Sequence, residues 1–151
     1  MAEQKFKTNP FYDAAKDVFK SMLDMDISEL KSNGQTGQEE NVKIEIALVG
    51  DLSGSTIYSF PKSTTLNIVK SLSGMETDTL DDFATSMLGE IANIISGNAV
   101  TALSGMNYKC DIKPPQITVG NSAASKDENS VDMLLHSQAG VMREHICLAK
   151  G

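Results

Sequence analysis

Glu90 and Asn93 stand one helical turn apart, and of all the residues in this chain their types and spacing best suit chemistry. They lie in the stretch Ser86 to Leu103, which reads Ser-Met-Leu-Gly-Glu-Ile-Ala-Asn-Ile-Ile-Ser-Gly-Asn-Ala-Val-Thr-Ala-Leu. At ~100° of rotation per residue, Ser86, Glu90, Asn93, Gly97 and Thr101 fall on one stripe of a helix, while Met87, Leu88, Ile91, Ala92, Ile94, Ile95 and Ala102 fill much of the rest. A carboxylate and a carboxamide therefore project side by side. Asn93 does not titrate near neutrality, so it is no general base, but its amide oxygen and N–H groups can hold a water. Positioning of that kind suits phosphoryl transfer, whose loose transition state asks for in-line geometry and charge neutralisation more than for covalent work by the protein. The chain shows no Asp cluster, phosphate loop or lysine beside the motif in sequence. A site here is half a site, completed by a phosphorylated partner.

The plain alternative is the solvent face of a core helix, since Glu-x-x-Asn is a common spacing. The glycines weigh against it, because Gly in a helix interior costs ~1 kcal/mol relative to Ala. Gly89, Ser96 and Gly97 leave the helix surface low and predict close approach by another element of the fold, a second subunit or a separate protein. Periodicity does not choose among the three.

Other motifs carry less. Gly50 to Ser55 is Gly-rich but lacks Gly-Lys-Ser/Thr and joins two strands, so it reads as a hairpin turn. His136 and His145 fall in predicted strands with no partner at metal-ligand spacing and read as ordinary sheet residues. There is no Gly-x-Ser-x-Gly, and no pair of carboxylates stands out as acid and base.

The elements that must carry the stripe follow from periodicity. Asn9-Pro10, then Phe11, Ala14, Ala15, Val18, Phe19, Met22 and Leu23, predict an N-capped helix with Pro at its first position. Ser28 to Asn41 has no periodicity and predicts a loop. Val42, Ile44, Ile46 and Leu48 alternate with polar residues and pair with Ser55 to Phe60 as a β-hairpin ended by Pro61. A short helix over Ser63 to Leu72 closes at Gly74. The central helix starts near Thr77 to Thr79, with Asp78, Asp81 and Asp82 against the positive end of its dipole, and ends at Gly105. Tyr108 to Ile112, Pro115 to Val119, Ser130 to Gln138 and Val141 to Ala149 read as strands, the last two joined by a tight turn near Ala139-Gly140, and Asn121 to Asn129 as a polar loop. The expected fold is α+β, a mainly antiparallel sheet with about three helices packed on one face.

Composition sets limits on function. The 151 residues suit a single domain over 1–151, and 13 Lys plus Arg against 20 Asp plus Glu, a net charge of −7, argue against nucleic acid and anionic membrane surfaces as partners. Cys110 and Cys147 lack Cys-x-x-Cys spacing, and no signal peptide precedes them, which fits reduced thiols in a cytoplasmic protein. The longest apolar run, Ile91 to Ile95 interrupted by Ala92 and Asn93, is far short of the ~20 residues that span a bilayer.

At the central helix the sequence resembles the CheC/CheX/FliY family of chemotaxis phosphatases, whose signature reads roughly Ser/Asp-x-x-x-Glu-x-x-Asn-x-x-x-Gly. Ser86, Glu90, Asn93 and Gly97 match it in order. The likeness continues through Ser96-Gly97-Asn98-Ala99 into Ala102-Leu103. Ile57-Tyr58-Ser59-Phe60 and Asp111-Ile112-Lys113-Pro114-Pro115 also look like family segments, so it spans nearly the whole chain. The first helix, Phe11 to Phe19, has no second Glu-x-x-Asn, which points to the CheX type. The resemblance implies a phosphatase that hydrolyses the aspartyl phosphate of a CheY-like receiver domain. Asn93 would orient the attacking water, and Glu90 would form a salt bridge with the receiver's active-site lysine. Ser86, Gly89, Ser96 and Gly97 would lie against the partner. Mg²⁺ would belong to the receiver, with no cofactor of this chain's own. It further implies a homodimer joined through sheet edges, with Val141 to Ala149 or a neighbouring strand as the edge. The rival reading is a dimeric signalling module that binds a receiver without hydrolysis. A third makes Glu90 and Asn93 buried partners in a dimer contact.

Overall fold

A computed structural model describes residues 2–30, 40–120 and 130–150. Helix α1 (Ala2–Val18) winds on as a π-helical turn, Phe19–Leu23. There follow β1 (Ser28–Leu30), β2 (Asn41–Gly50), β3 (Leu52–Pro61), α2 (Lys62–Ser73) and α3 (Asp82–Gly105). The chain closes with β4 (Cys110–Ile112), β5 (Gln116–Gly120), β6 (Ser130–Ser137) and β7 (Gly140–Lys150).

The strands form one seven-stranded sheet in the order β1-β6-β7-β3-β2-β4, with β5 also on β2, and every pairing is antiparallel. β4 and β5 share the outer edge of β2, β5 along Asn41 to Glu45 and β4 along Leu48 to Gly50. Alternation decides which face is covered. Val42, Ile44, Ile46 and Leu48 of β2 are buried, as are Thr56, Tyr58 and Phe60 of β3, Met133 and Leu135 of β6, and Met142, Glu144, Ile146 and Leu148 of β7. The helices lie over this face, with α1 against α3, α3 against β2, and α2 against β3 and β7. The α+β architecture with three helices on a mainly antiparallel sheet is the one expected.

Several boundaries differ from expectation for local reasons. α1 starts at Ala2 and runs through Pro10. A proline inside a helix forfeits one bond, here the one to the carbonyl of Phe6, and Asn9-Pro10 imitates a start without being one. The buried stripe Phe11, Ala14, Ala15, Val18 and Phe19 follows helical spacing, but the wider π turn then shifts the register and leaves Met22 38% exposed. That turn ends at Asp24, in the left-handed region with φ 54°, whose N–H bonds the carbonyl of Lys20. α3 begins later than Thr77 to Thr79. The Thr77 hydroxyl instead takes the N–H of Thr79, and Asp81 caps the helix by accepting the N–H of Ala84 at 2.9 Å.

Within the segment Ser28 to Asn41, expected to be a loop, Ser28 to Leu30 pair with β6 as a strand, and residues 31–39 lie outside the described residues, as does the expected loop Asn121 to Asn129. The interior position of β7 corrects the expectation that Val141 to Ala149 forms a sheet edge. Val141 to Ala149 lies in β7, between β6 and β3; β3 is paired on both sides, and β1 covers the outer side of β6 at Leu134 to His136. The sheet edges are β1 and the β4–β5 side. No helix among the described residues is long and apolar enough to cross a membrane.

Candidate active site on helix α3

Helix α3 is 24 residues long, and its buried row runs Ala84, Leu88, Ile91, Ala92, Ile95, Ala99 and Leu103. Fixing that row against the sheet turns the opposite stripe outward. Ser86, Glu90 and Thr101 are exposed, and Asn93 and Gly97 are half-buried at its margin. Ala102, expected to help fill the apolar side, is exposed instead.

Among the described residues, neither the Glu90 nor the Asn93 side chain has a hydrogen bond or ion pair. The carboxylate and the carboxamide are both free for an incoming group, and Asn93 is partly shielded from bulk water. A Cβ added at Gly97 would meet nothing within 4 Å, so the ground beside Asn93 is open. No packing within the fold demands glycine there.

The other two residues expected to face the partner are used inside the molecule. Gly89 is buried, and a Cβ there would come 2.8 Å from Cδ1 of Ile117, so β5 supplies the close approach that the sequence predicted. Ser96 is wholly buried, and its hydroxyl lies 2.8 Å from that of Tyr58 on β3. Both are therefore corrected from surface residues to supports beneath the stripe. Ser86, Glu90, Asn93 and Gly97 remain together on the outer face.

Two features escaped the sequence reading. Phe83 is 47% exposed and sits seven residues before Glu90, ~10 Å along the same stripe, a spacing that periodicity alone would have found. Glu144 is wholly buried on β7, and neither of its carboxyl oxygens has a hydrogen-bond partner. Its place in the alternation Met142, Glu144, Ile146, Leu148 marked it as inward-facing. Burial pushes its carboxyl up to about 8, and burial together with Glu144 holds the Tyr58 phenol well above its ordinary value.

His136 is exposed on β6. His145 is buried on β7, with Nδ1 3.8 Å from a carboxylate oxygen of Asp132, whose other oxygen accepts from Arg143 at 2.6 Å. This cluster lies on the outward rows of the sheet, away from α3. Among the described residues no three His, Cys, Asp or Glu side chains converge as a metal site.

A family model described as chemotaxis phosphatase CheX matches residues 42–136. The CheY-P phosphatase CheX of Thermotoga maritima is 35% identical over 82 residues, which are 54% of this chain and 53% of that one. The chain thus spans about half the length of the curated relative it matches. A CheC-like superfamily protein from Shewanella sp. PV-4 superposes with a TM-score of 0.83 at 26% identity, covering 95% of this chain and 97% of the other. The CheX of a CheX–CheY–BeF₃–Mg²⁺ complex from Borrelia burgdorferi is similar, with a TM-score of 0.71 at 26% identity and coverage of 94% and 97%.

Proposed function

Since this chain belongs to the CheX family of chemotaxis phosphatases, we propose that it hydrolyses the aspartyl phosphate of a CheY-like receiver domain, with the outer face of α3 laid over the phosphorylated site. The observation that carries this reading is the pairing of an unbonded, half-buried Asn93 with an unbonded, exposed Glu90 beside the open ground at Gly97. Asn93 holds the attacking water through its carboxamide, fixing the water in line with the phosphorus–oxygen bond that breaks. Glu90 reaches the lysine of the receiver's site and seats the helix. The carboxylate and the amide together supply orientation, which is what a loose phosphoryl-transfer transition state needs from a protein. Mg²⁺, named in the Borrelia complex, is assigned to the receiver, where it offsets charge on the phosphoryl oxygens.

Phe83 extends the same face by two turns, and an exposed aromatic ring beside a polar motif suits an interface anchor. A homodimer is proposed through the β4–β5 side, where Ile117 and Val119 stay 37% and 44% exposed. Sedimentation of the wild type and of Val119→Lys tests that contact: a dimer that the substitution splits supports it, and a dimer that ignores the substitution places the interface elsewhere.

The test of the function is the decay of a phosphorylated receiver with wild type, Asn93→Ala and Glu90→Ala. Asn93→Ala removes roughly 10²-fold or more of the acceleration and leaves binding nearly intact, while Glu90→Ala weakens association. Substitutions that instead lower stability or change the oligomeric state would place Glu90 and Asn93 in a dimer contact.

A further inference from the structure

Glu144 sits where a carboxyl group is costly. It is wholly buried between Met142 and Ile146 on the inward row of β7, facing Tyr58 across to β3 and Met133 across to β6. Its neighbours Arg143 and His145 belong to the outward row, where they engage Asp132. Among the described residues, the buried side chains of the helices over the sheet carry no charge. The buried side chains of α2 are Thr64, Thr65, Ile68 and Val69, those of α1 are Phe11, Ala14, Ala15 and Val18, and α3 contributes Ser96 among apolar residues. Tyr58 is thus the titratable group that faces it, with Ser96 one hydroxyl further on. An apolar side chain of similar size at this position would avoid the desolvation cost.

We propose that Glu144 is a positioning residue of the site, acting through Tyr58 and Ser96 on the way α3 carries Asn93. The proposal rests on the phosphatase reading. Ser96 lies one turn after Asn93 and directly before Gly97, on the flank of α3 that joins the outer stripe to the core. Tyr58 has a single O–H, and while Glu144 is neutral that proton is free to serve the 2.8 Å bond between the two hydroxyls. An ionised carboxylate accepts hydrogen bonds about twice as strongly as a neutral group, so ionisation of Glu144 turns the phenol proton toward the carboxylate and leaves the Ser96 hydroxyl to donate to the phenol oxygen instead. The buried polar tether directly beneath Asn93 is then reversed, with Ser96 as its donor. Burial sets the ionisation at about pH 8.

Two readouts on the full chain test this. The first is the pH profile of receiver-phosphate hydrolysis for wild type, Glu144→Gln and Tyr58→Phe, with the fold checked by circular dichroism at each pH. The wild type should lose about tenfold in kcat, with KM little changed, as pH rises through the titration of Glu144. Glu144→Gln, which keeps the shape and cannot ionise, should hold its neutral-pH rate across the range, and Tyr58→Phe should be slower and insensitive to that titration. The second is the pair of Asn93 side-chain amide resonances in the free protein, which should move with the Glu144 titration in wild type and stay still in Glu144→Gln. A high-pH loss shared by Glu144→Gln, or Asn93 resonances that ignore the titration, overturns the proposal. Resonances that titrate in a protein that accelerates no receiver's hydrolysis support the coupling and overturn the phosphatase reading.

Discussion

The hydroxyl of Tyr58 lies 2.8 Å from the hydroxyl of Ser96, and this buried contact ties the middle strand of the sheet to the helix that carries the site. It gives Ser96 a role beneath the surface and fixes the rotation of α3 at the turn that holds Asn93 and Gly97. The outer stripe is therefore held by polar geometry as well as by the apolar row Leu88, Ile91, Ile95 and Ala99.

Breaking that contact should have unequal effects from its two ends. Ser96→Ala takes from the Tyr58 hydroxyl its 2.8 Å partner and leaves Glu144 as the polar group it faces, and should cost ~1 kcal/mol. Tyr58→Phe leaves a serine hydroxyl able to bond back to the carbonyl of Ala92 four residues earlier, and should cost less. Urea unfolding of the two variants checks the order.

The buried Glu144 predicts how stability varies with pH. Its carboxyl is raised from 4.5 to about 8 in the folded chain, so between those values the folded state holds a proton that the unfolded state has released. Stability should fall as pH rises across that window and level off above it, by an amount on the order of 5 kcal/mol at most. Glu144→Gln should flatten this slope, which urea midpoints from pH 4 to 9 would show.

The two glycines of α3 should respond in opposite ways. Gly97 faces open space, so Gly97→Ala should raise stability by up to ~1 kcal/mol through helix propensity, and a larger side chain, as in Gly97→Leu, should spare the fold while blocking the receiver. At Gly89 an added methyl meets Ile117 at 2.8 Å, and Gly89→Ala should gain nothing or destabilise as β5 is pushed away. Thermal melts of the two alanine variants separate these cases.

Phe83→Ala removes an exposed ring and should leave the melting temperature almost unchanged. If the ring anchors the receiver, KM should rise about tenfold with kcat preserved, as expected when binding is lost equally from ground and transition states. Steady-state kinetics on the phosphorylated receiver checks the split.

Much of this arrangement was legible from periodicity. The helical spacing of Ser86, Glu90, Asn93 and Gly97, the alternation of β2 and the Gly74 stop, which takes φ 73°, each follow from one local rule. What failed to show lay in tertiary context. Ser28 to Leu30 are all exposed and carry no hydrophobic pattern, because backbone bonds to β6 alone make them a strand, and that strand in turn hides the β6 edge. Asn9-Pro10 has the chemistry of a helix start in the middle of a helix. Gly89 and Gly97 look alike in sequence, and only Ile117, far along the chain, tells the packing glycine from the open one. Glu144 was missed for a different reason: its inward place was readable, but a carboxylate in a strand is ordinarily taken for a solvent-facing residue.

The most direct test of the account is the hydrolysis rate at saturating phosphorylated receiver, measured with wild type and Asn93→Ala alongside their affinities for the same receiver. The account predicts a turnover lower by roughly 10²-fold or more in the variant, with affinity within a few-fold of wild type. Equal turnover in the two proteins, or a loss confined to affinity, would contradict the claim that Asn93 holds the attacking water.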